Sequence, residues 1–491
     1  MDNNNDDTAA WASIEDVADA GARVDAQLRA VLRRVMAQDR SAEVAFDYVT
    51  GLAPGVRANC WSLAEATSHG GPHRMQALLR SYQWEWEELR ADLPALAAAW
   101  IPDDPADLIG PGLAIDETAH LKKGDATACV SPQHAGVTGK VENCVTSVFS
   151  AYVTAHGQAW ADFDLYLPTR WADDPDRRKA AGVPEDLTFA TKPDLAIAQL
   201  ERLLTAGLPI RWVAFDEVYG RSEPLRVACA KAGLAYVAVV PCDYRATLPS
   251  GRVIQVKEAV KNARFERRSC GTGTKGPRYA DWALAATAVP GQYLLIRRLL
   301  SRPDQLTFYL CWAPEGRPAT TTYFLMVAGR RWPVEETFKT AKDVLGWDTS
   351  QVRTFGGICR HTVLTALAQL RQTAVRNALT STVTLPDSPD EQRPGPVGAG
   401  HVTDGHADLR VPLGDAPLPA RGGLPCPPGI GAIRLSVAET TRLHHLAQQA
   451  EAGLISRARL ALALRWSTWR RRHQARARWH HHSARLLAAA T

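Results

Sequence analysis

Apolar strands that alternate with helices between residues 109 and 250 constrain the fold of this chain most strongly. A short strand at 113–115 is followed directly by Asp116, and a strand at 212–215 is followed by Asp216. This alternation predicts a sheet covered by helices on both faces, with charged residues at strand ends as candidates for a site. In chain order we expect strands at 113–115, 126–131 and 141–153, a helix at 192–206, a strand at 212–215, a helix at 223–233 and a strand at 235–240.

A helix is predicted after residue 331, and one of its faces carries alternating charge. Pro333 suits the first turn, and two carboxylates follow at the positive end of the helix dipole. Four-residue spacing stacks Arg331, Glu335 and Lys339, with Lys342 about two turns on from Glu335. On these residues alone the face is either solvated, with two ion pairs, or part of a site.

Asp116, Asp216 and a carboxylate on this helix together make a metal-binding set. Three carboxylates at one point raise each other's pKa unless cations compensate them. Mg²⁺ and Mn²⁺ prefer oxygen ligands. Two such ions about 3.5–4 Å apart clamp both oxygens of a phosphodiester displacement. Glu117 is the poorer candidate on its strand, because adjacent strand residues point to opposite faces, and Glu336 lies about 100° round the helix from Glu335.

The positive charge of the chain is concentrated near residue 457 and beyond. Residues 457–485 contain nine arginines and no acid, so the formal net charge of +5 becomes −4 without this segment. Such a tail predicts a polyanionic partner. Its tryptophans interleave with arginines, which fits either a helix docked on the core or a helix that binds the DNA backbone.

The cysteines and the apolar runs indicate a cytoplasmic protein. The nine cysteines are odd in number and never spaced C-x-x-C, which favours a reducing compartment. The N-terminus is polar and acidic, unlike a signal peptide. No apolar run approaches the roughly 18 residues of a membrane span, so we expect no membrane association.

Residues 1–108 are predicted to be helical. Helical spacing covers 9–38 and 75–100, with breaks in the glycine-containing segments between them. Trp84 and Trp86 are expected to pack in the core. Whether this region binds DNA stays open.

Several stretches carry a family resemblance. Arg331-x3-Glu335-x6-Lys342 matches part of the Tyr-x2-Arg-x3-Glu-x6-Lys signature of insertion-sequence-four-like transposases, and nearly the whole chain resembles the related insertion-sequence seven-hundred-and-one type. The other matching stretches are 115–118, 122–124, 139–144, 162–168, 216–220, 330–353 and 466–475.

The resemblance implies an RNase H-like α/β core with the catalytic and metal-binding triad Asp116, Asp216 and Glu335. It also implies a β-rich insertion before the glutamate helix. One position departs from the signature: the tyrosine that helps to hold DNA in relatives is Ala328 here. We expect another aromatic residue to supply this contact, and Trp312 is our choice.

The insertion is expected to contain strands at 294–300, 306–312 and 320–327. Its first part, residues 257–278, is rich in lysine and arginine. That segment is either an edge that contacts phosphates or a solvated loop.

These observations divide the chain into six regions. A segment with ten prolines and eight glycines in residues 381–430 marks a disordered linker. The regions are an N-terminal helical region (1–108), the first part of the core (109–250), the β-rich insertion (251–326), the glutamate helix and a closing helix (327–380), the linker (381–432) and a basic helical tail (433–491).

The function that we expect is cut-and-paste DNA transposition with two Mg²⁺ or Mn²⁺ ions. The partners would be the inverted-repeat ends of the element and the target DNA, bound by a homodimer. Alternatives are a metal-dependent nuclease without strand transfer and a domesticated, non-catalytic DNA-binding protein. The expected DNA-contacting residues are Arg331, Lys342, Lys122, Lys123, Lys275, Arg278, Trp312, Arg470, Arg471 and Arg472.

Overall fold

The computed structural model describes residues 14–52, 58–273, 276–382 and 437–451, together with 453, 455–457, 459–461, 463, 464 and 467. Within these residues, ten strands form one mixed sheet and two short strands form a separate pair. The strands are β1 (Gly112–Leu121), β2 (Ser131–Ala135), β3 (Lys140–Thr154), β4 (Gly157–Leu165), β5 (Trp212–Phe215), β6 (Ala235–Val240), β7 (Arg245–Thr247), β8 (Val253–Gln255), β9 (Glu266–Gly273), β10 (Gly276–Ala286), β11 (Gln292–Arg298) and β12 (Leu306–Trp312).

The core of the sheet has the RNase H-like arrangement. β1 pairs antiparallel with β3 on one side and parallel with β5 on the other. β6 lies parallel to β5, and β4 lies antiparallel to β3. The order β4–β3–β1–β5–β6 confirms the predicted mixed α/β fold class.

The strands of the predicted insertion continue this sheet. β12 pairs antiparallel with β6, and β11, β10 and β9 follow in turn, all antiparallel. The expected strand at 306–312 is confirmed, and the one at 294–300 lies two residues earlier, at Gln292–Arg298. The division of the chain into six regions stays a prediction.

Helices cover the sheet and build most of the N-terminal region. α13 is buried around its whole circumference between His361 and Arg376, as expected of a central helix. The helices are α1 (Ile14–Val35), α2 (Asp39–Gly51), α3 (Cys60–Ala66), α4 (His73–Arg80), α5 (Trp86–Trp100), α6 (Thr169–Ala172), α7 (Pro175–Ala181), α8 (Lys192–Thr205), α9 (Glu217–Gly220), α10 (Glu223–Lys231), α11 (Thr321–Arg331), α12 (Pro333–Lys339), α13 (Phe355–Thr382) and α14 (Val437–Glu451).

Three strand predictions were wrong. The segment 320–327 is helical, because the side chain of Thr320 accepts a hydrogen bond from the backbone N–H of Tyr323 and caps α11. The strand expected at 126–131 begins only at Ser131. β1 does not end before Asp116 but continues to Leu121, because β3 pairs with it along its whole length.

The structure also contains β4, which the sequence pattern did not predict. Asp162 and Asp164 interrupt its apolar character. Both carboxylates pair with Arg202 of α8 and with Arg90 of α5, so ion pairs satisfy them in a mostly buried position.

A buried ionic cluster joins three distant helices. Arg371 of α13 donates to both carboxylate oxygens of Asp25 in α1, at 2.5 and 2.9 Å. It also donates to Nε2 of His444 in α14. Helix α14 lies within the tail that was predicted to be helical, and it docks against α1 and α13.

In the N-terminal region, the break at 81–85 divides the predicted 75–100 helix into α4 and α5. Trp84 is buried, as expected, and its indole N–H donates to the Leu78 carbonyl at 2.8 Å. None of the described helices is both long and apolar enough for a bilayer. The eight cysteines among the described residues form no disulfide with one another.

Candidate active site

Asp116 on β1 lies level with Asp216, which directly follows the neighbouring parallel strand β5. Ile115 pairs with Phe215, so the two aspartates follow at the same level of the sheet. Asp216 caps α9 by accepting hydrogen bonds from the N–H of Val218 at 3.0 Å and of Tyr219 at 3.4 Å. This cap fixes the second carboxylate beside the first.

Gly220 allows the turn after Asp216 to lie against the sheet. A Cβ atom at Gly220 would be 1.8 Å from the carbonyl oxygen of Val239 in β6. No side chain fits there without movement of the backbone. The position of Asp216 therefore depends on a glycine four residues later.

The helix predicted after residue 331 is confirmed as α12, and a kink at Trp332 separates it from α11. The Arg331 guanidinium spans two acids: Nη1 lies 3.1 Å from Asp116 Oδ2, and Nη2 lies 2.9 Å from Glu335 Oε1. The side chain of Arg331 is only 21% exposed. This face of the helix is therefore turned toward β1, and Arg331 links Glu335 to Asp116.

The charges of the cluster are incompletely compensated. Burial and the neighbouring Asp216 raise the pKa of Asp116 to about 7, although Arg331 opposes this shift. Burial and the carboxylate of Glu117 also raise the pKa of Asp216. A bound cation would relieve both effects.

Glu117 adds a fourth carboxylate near the site, although the alternation of strand residues had made it the poorer candidate. Its side chain pairs with Lys192 at the start of α8, with Nζ 2.7 Å from Oε1. It therefore lies away from Arg331, as the alternation of strand residues predicts, yet its charge still acts on Asp216. No local spacing in the sequence indicates the contact with Lys192.

The expected metal ligands Asp116, Asp216 and Glu335 suit a hard divalent ion, because all their donor atoms are carboxylate oxygens. Within the described ranges, however, no three acidic, histidine or cysteine side chains lie close enough to hold one ion. Arg331 lies between Asp116 and Glu335 instead. An ion would therefore compete with this guanidinium for the two acids.

Two of the lysines expected to contact DNA bind main-chain carbonyls. Lys342, in a π-helical turn at Thr340–Val344, donates to Ala119 of β1 at 2.9 Å. Lys122 donates to Ser350 at 2.9 Å, and burial together with Arg353 lowers its pKa to about 8. Lys123 is exposed.

Trp312 has internal partners. Its indole N–H donates to the Pro290 carbonyl at 3.2 Å, and its ring stacks on Tyr236. Strand register places it level with Leu113, three residues before Asp116. Strand geometry then puts it roughly 10 Å along the strands and roughly 14 Å across them from Asp116.

Trp332 directly follows Arg331 and is 49% exposed. Ala328, at the signature tyrosine position, is half-buried on α11. Arg278 donates to the Gly329 carbonyl at 3.0 Å. Lys275, Arg470, Arg471 and Arg472 lie outside the described residues.

Comparisons with known proteins found a matching family and a relative of similar sequence. The family described as DDE superfamily endonuclease matches residues 26–286, a segment that includes Asp116 and Asp216 and ends before Glu335. The probable transposase for insertion sequence element IS701 from Microchaete diplosiphon is 23% identical over 284 residues, which are 55% of this chain and 66% of that protein. The chain thus spans just under two thirds of this relative.

Among solved structures, the piggyBac transposase in its synaptic complex with hairpin DNA is similar at a TM-score of 0.31 and 12% identity. The match covers 72% of this chain and 74% of that one.

Proposed function

Since the chain belongs to the DDE superfamily endonucleases, we propose that it is a DNA transposase that cleaves phosphodiester bonds at element ends and joins them to target DNA by a cut-and-paste route. The observation that supports this most directly is the convergence of Asp116 and Glu335 on Arg331, with Asp216 at the level of Asp116.

Asp116, Asp216 and Glu335 would hold two Mg²⁺ or Mn²⁺ ions. Such ions supply Lewis acidity and lower the pKa of water for attack on the phosphodiester. Arg331 orients the carboxylates of Asp116 and Glu335 before loading. Once it is displaced from them, its planar guanidinium is suited to bind a phosphate near the scissile bond.

Lysines extend the site along β1 toward its carboxyl end. Lys342 lies at the level of Ala119, and Lys122 follows the end of the strand. Each ammonium uses one of its three donors on a carbonyl, so it can also contact a phosphate. We propose that the DNA backbone lies along this row, with Lys123 at its exposed end.

The proposed partners are double-stranded DNA at the inverted-repeat ends and at the target site, engaged by a homodimer in the cytoplasm. The likeness to a probable insertion-sequence transposase supports an element end as the substrate. The basic tail supports binding to a polyanion.

The test uses the full-length protein, Mg²⁺ and a plasmid that carries the gene with its own genomic flanks. Excision at both flanks, with joining of the freed fragment to a second plasmid, is the expected result. Cleavage without joined products would identify a nuclease. Binding without cleavage, in Mg²⁺ and in Mn²⁺, would identify a non-catalytic DNA-binding protein and overturn the proposal.

A further inference from the structure

Three consecutive residues at the end of α11 are held by three different parts of the protein. Gly329 contacts the outer strands of the sheet, Arg330 contacts the segment before β1, and Arg331 contacts the acids of the candidate site. Because neighbouring helical residues point about 100° apart, the three contacts restrain the end of the helix from different directions.

The first contact admits only glycine. A Cβ atom at Gly329 would lie 1.8 Å from the carbonyl oxygen of Cys270 in β9. The carbonyl of Gly329 accepts a hydrogen bond from Arg278 of β10 at 3.0 Å. The outer strands therefore set how closely α11 approaches the sheet.

The second contact is an ion pair in a mostly buried position. Arg330 pairs with Asp107, whose side chain is 4% exposed, and Nη1 of Arg330 also lies 3.4 Å from the Gly110 carbonyl oxygen. Asp107 organises its own loop as well, because its carboxylate accepts from the N–H of Ile109 at 3.4 Å. Gly110 is left-handed, with φ of 63°, and leads directly into β1.

The same arginine therefore links the start of β1 to the end of α11. Asp116 lies on β1, and Arg331 follows Arg330. Any shift of α11 relative to β1 changes the distance between Arg331 and Asp116. A misplacement of about 1 Å in a reacting group can slow catalysis about 100-fold.

We infer that the Asp107–Arg330 pair is a positioning device, which fixes Arg331 in register with Asp116 and Glu335. This inference rests on the proposed function, because those acids are the proposed reaction centre. Neither residue contacts the acids, so the pair acts through Arg331.

The kinetic test measures cleavage of the plasmid with native flanks over a range of DNA concentrations, which gives kcat and KM separately. We expect Arg330→Gln and Asp107→Asn to lower kcat about tenfold or more while KM changes less than about twofold. Arg330→Lys should recover part of the loss, and the exchanged pair Asp107→Arg with Arg330→Asp should recover more than either exchange alone. The matched control is Arg211→Gln, which removes an exposed pair with Asp103 in the same connecting segment. Equal losses in Arg330→Gln and the control would overturn the inference.

A second measurement does not depend on activity. Thermal unfolding of Asp107→Asn, Glu335→Gln and the double variant forms a double-mutant cycle. If the pair positions Arg331, the loss in the double variant differs from the sum of the two single losses, whereas a cycle with Arg211→Gln is additive. Additivity in both cycles would contradict the inference. A wild-type protein that cleaves no DNA would refute the proposed function, and the cycle would still decide the inference.

Discussion

The guanidinium of Arg331 lies 3.1 Å from the carboxylate of Asp116, although 215 residues of chain separate the two. The same group lies 2.9 Å from Glu335, one helical turn away. A long-range contact and a local one thus meet on a single side chain. The predictions below start from this arrangement.

Removing any one acid of the proposed triad should abolish cleavage. Asp116→Asn, Asp216→Asn and Glu335→Gln each remove a ligand charge. We expect each to raise the activation free energy of cleavage by about 4 kcal/mol, which lowers the rate about a thousandfold. DNA binding, measured by fluorescence anisotropy, should persist. The matched control is Glu336→Gln, because Glu336 is exposed and bonds only Gln158 among the contacts described. An inactive Glu336→Gln beside an active Glu335→Gln would assign the role to the other glutamate.

Gly220→Ala should destabilise the protein and displace Asp216. The added methyl group meets the carbonyl oxygen of Val239 at 1.8 Å, and overpacking of this kind costs about 1–3 kcal/mol. Urea unfolding should show the loss. The control is Gly124→Ala, where a Cβ meets nothing within 4 Å. A fully stable Gly220→Ala variant with normal cleavage would argue against a tight turn.

The stabilising contribution of neutral His361 should be lost as the pH drops from about 6.5 to about 4. His361 is buried between Tyr48 and Trp347; its Nε2–H donates to the Trp347 carbonyl, so Nδ1 accepts from the Tyr48 hydroxyl. Burial lowers the pKa of His361 to about 4. Below pH 6.5 the unfolded chain binds a proton that the folded chain rejects, so stability decreases, by up to about 3 kcal/mol near pH 4.

The measurement is the unfolding free energy between pH 4 and 8. His361→Gln should be less stable at pH 8 but should lose less on acidification. His444, whose pKa burial also lowers to about 4, contributes a similar decrease, so the comparison is made between variants. An unchanged pH slope in His361→Gln would show that His361 is not the group responsible.

Two variants distinguish whether the C-terminal segment docks on the core or binds the DNA backbone. His444→Ala opens the buried cluster with Asp25 and Arg371, so it should lower the melting temperature with little effect on DNA affinity at fixed salt. Deletion of residues 468–491 removes six arginines. It should flatten the dependence of affinity on salt, since each phosphate contact contributes about 0.9 to the log–log slope. An unchanged slope with a destabilised fold would favour docking alone.

Aromatic contacts with DNA can be assigned by comparing two tryptophans. Trp332 is exposed beside Arg331, so Trp332→Ala should slow second-strand cleavage of a pre-nicked end about tenfold, the equivalent of about 1.4 kcal/mol of stacking. Trp312→Ala should mainly lower the melting temperature, because its ring packs on Tyr236. Slow cleavage in Trp312→Ala alone would instead assign the aromatic contact with DNA to Trp312. A faster Ala328→Tyr with two normal tryptophan variants would show that neither replaces the signature tyrosine.

The sequence predicted those parts of the site that depend on neighbouring residues. The strand at 212–215 with Asp216 after it, and the helix opened by Pro333, follow from short local patterns and were confirmed. β4 was missed because Asp162 and Asp164 interrupt its apolar character, and their arginine partners lie 38 or more residues away in the chain. The helix α11 was mistaken for a strand because its start is rich in threonine and aromatic residues.

The spacing of residues along the sequence could not predict contacts between remote segments. The approach of Arg331 to Asp116 and the pairing of Glu117 with Lys192 both arise from the packing of helices on the sheet. The grouping of the acids into one site was expected from their positions at strand ends and on the charged helix face, together with the family resemblance. The same holds for Asp107 and Arg330, which no motif connects.

The cluster of Asp25, Arg371 and His444 has a consequence for protein synthesis. Asp25 leaves the ribosome early and its arginine partner follows 346 residues later, while His444 emerges another 73 residues after that. Translation adds about 5–20 residues per second. The carboxylate of Asp25 in α1 therefore stays unpaired until Arg371 has been synthesised. The nascent chain therefore carries an unpaired acid in a helix destined for the interior. Helices that meet in this cluster can reach their final packing only after α14 has been made.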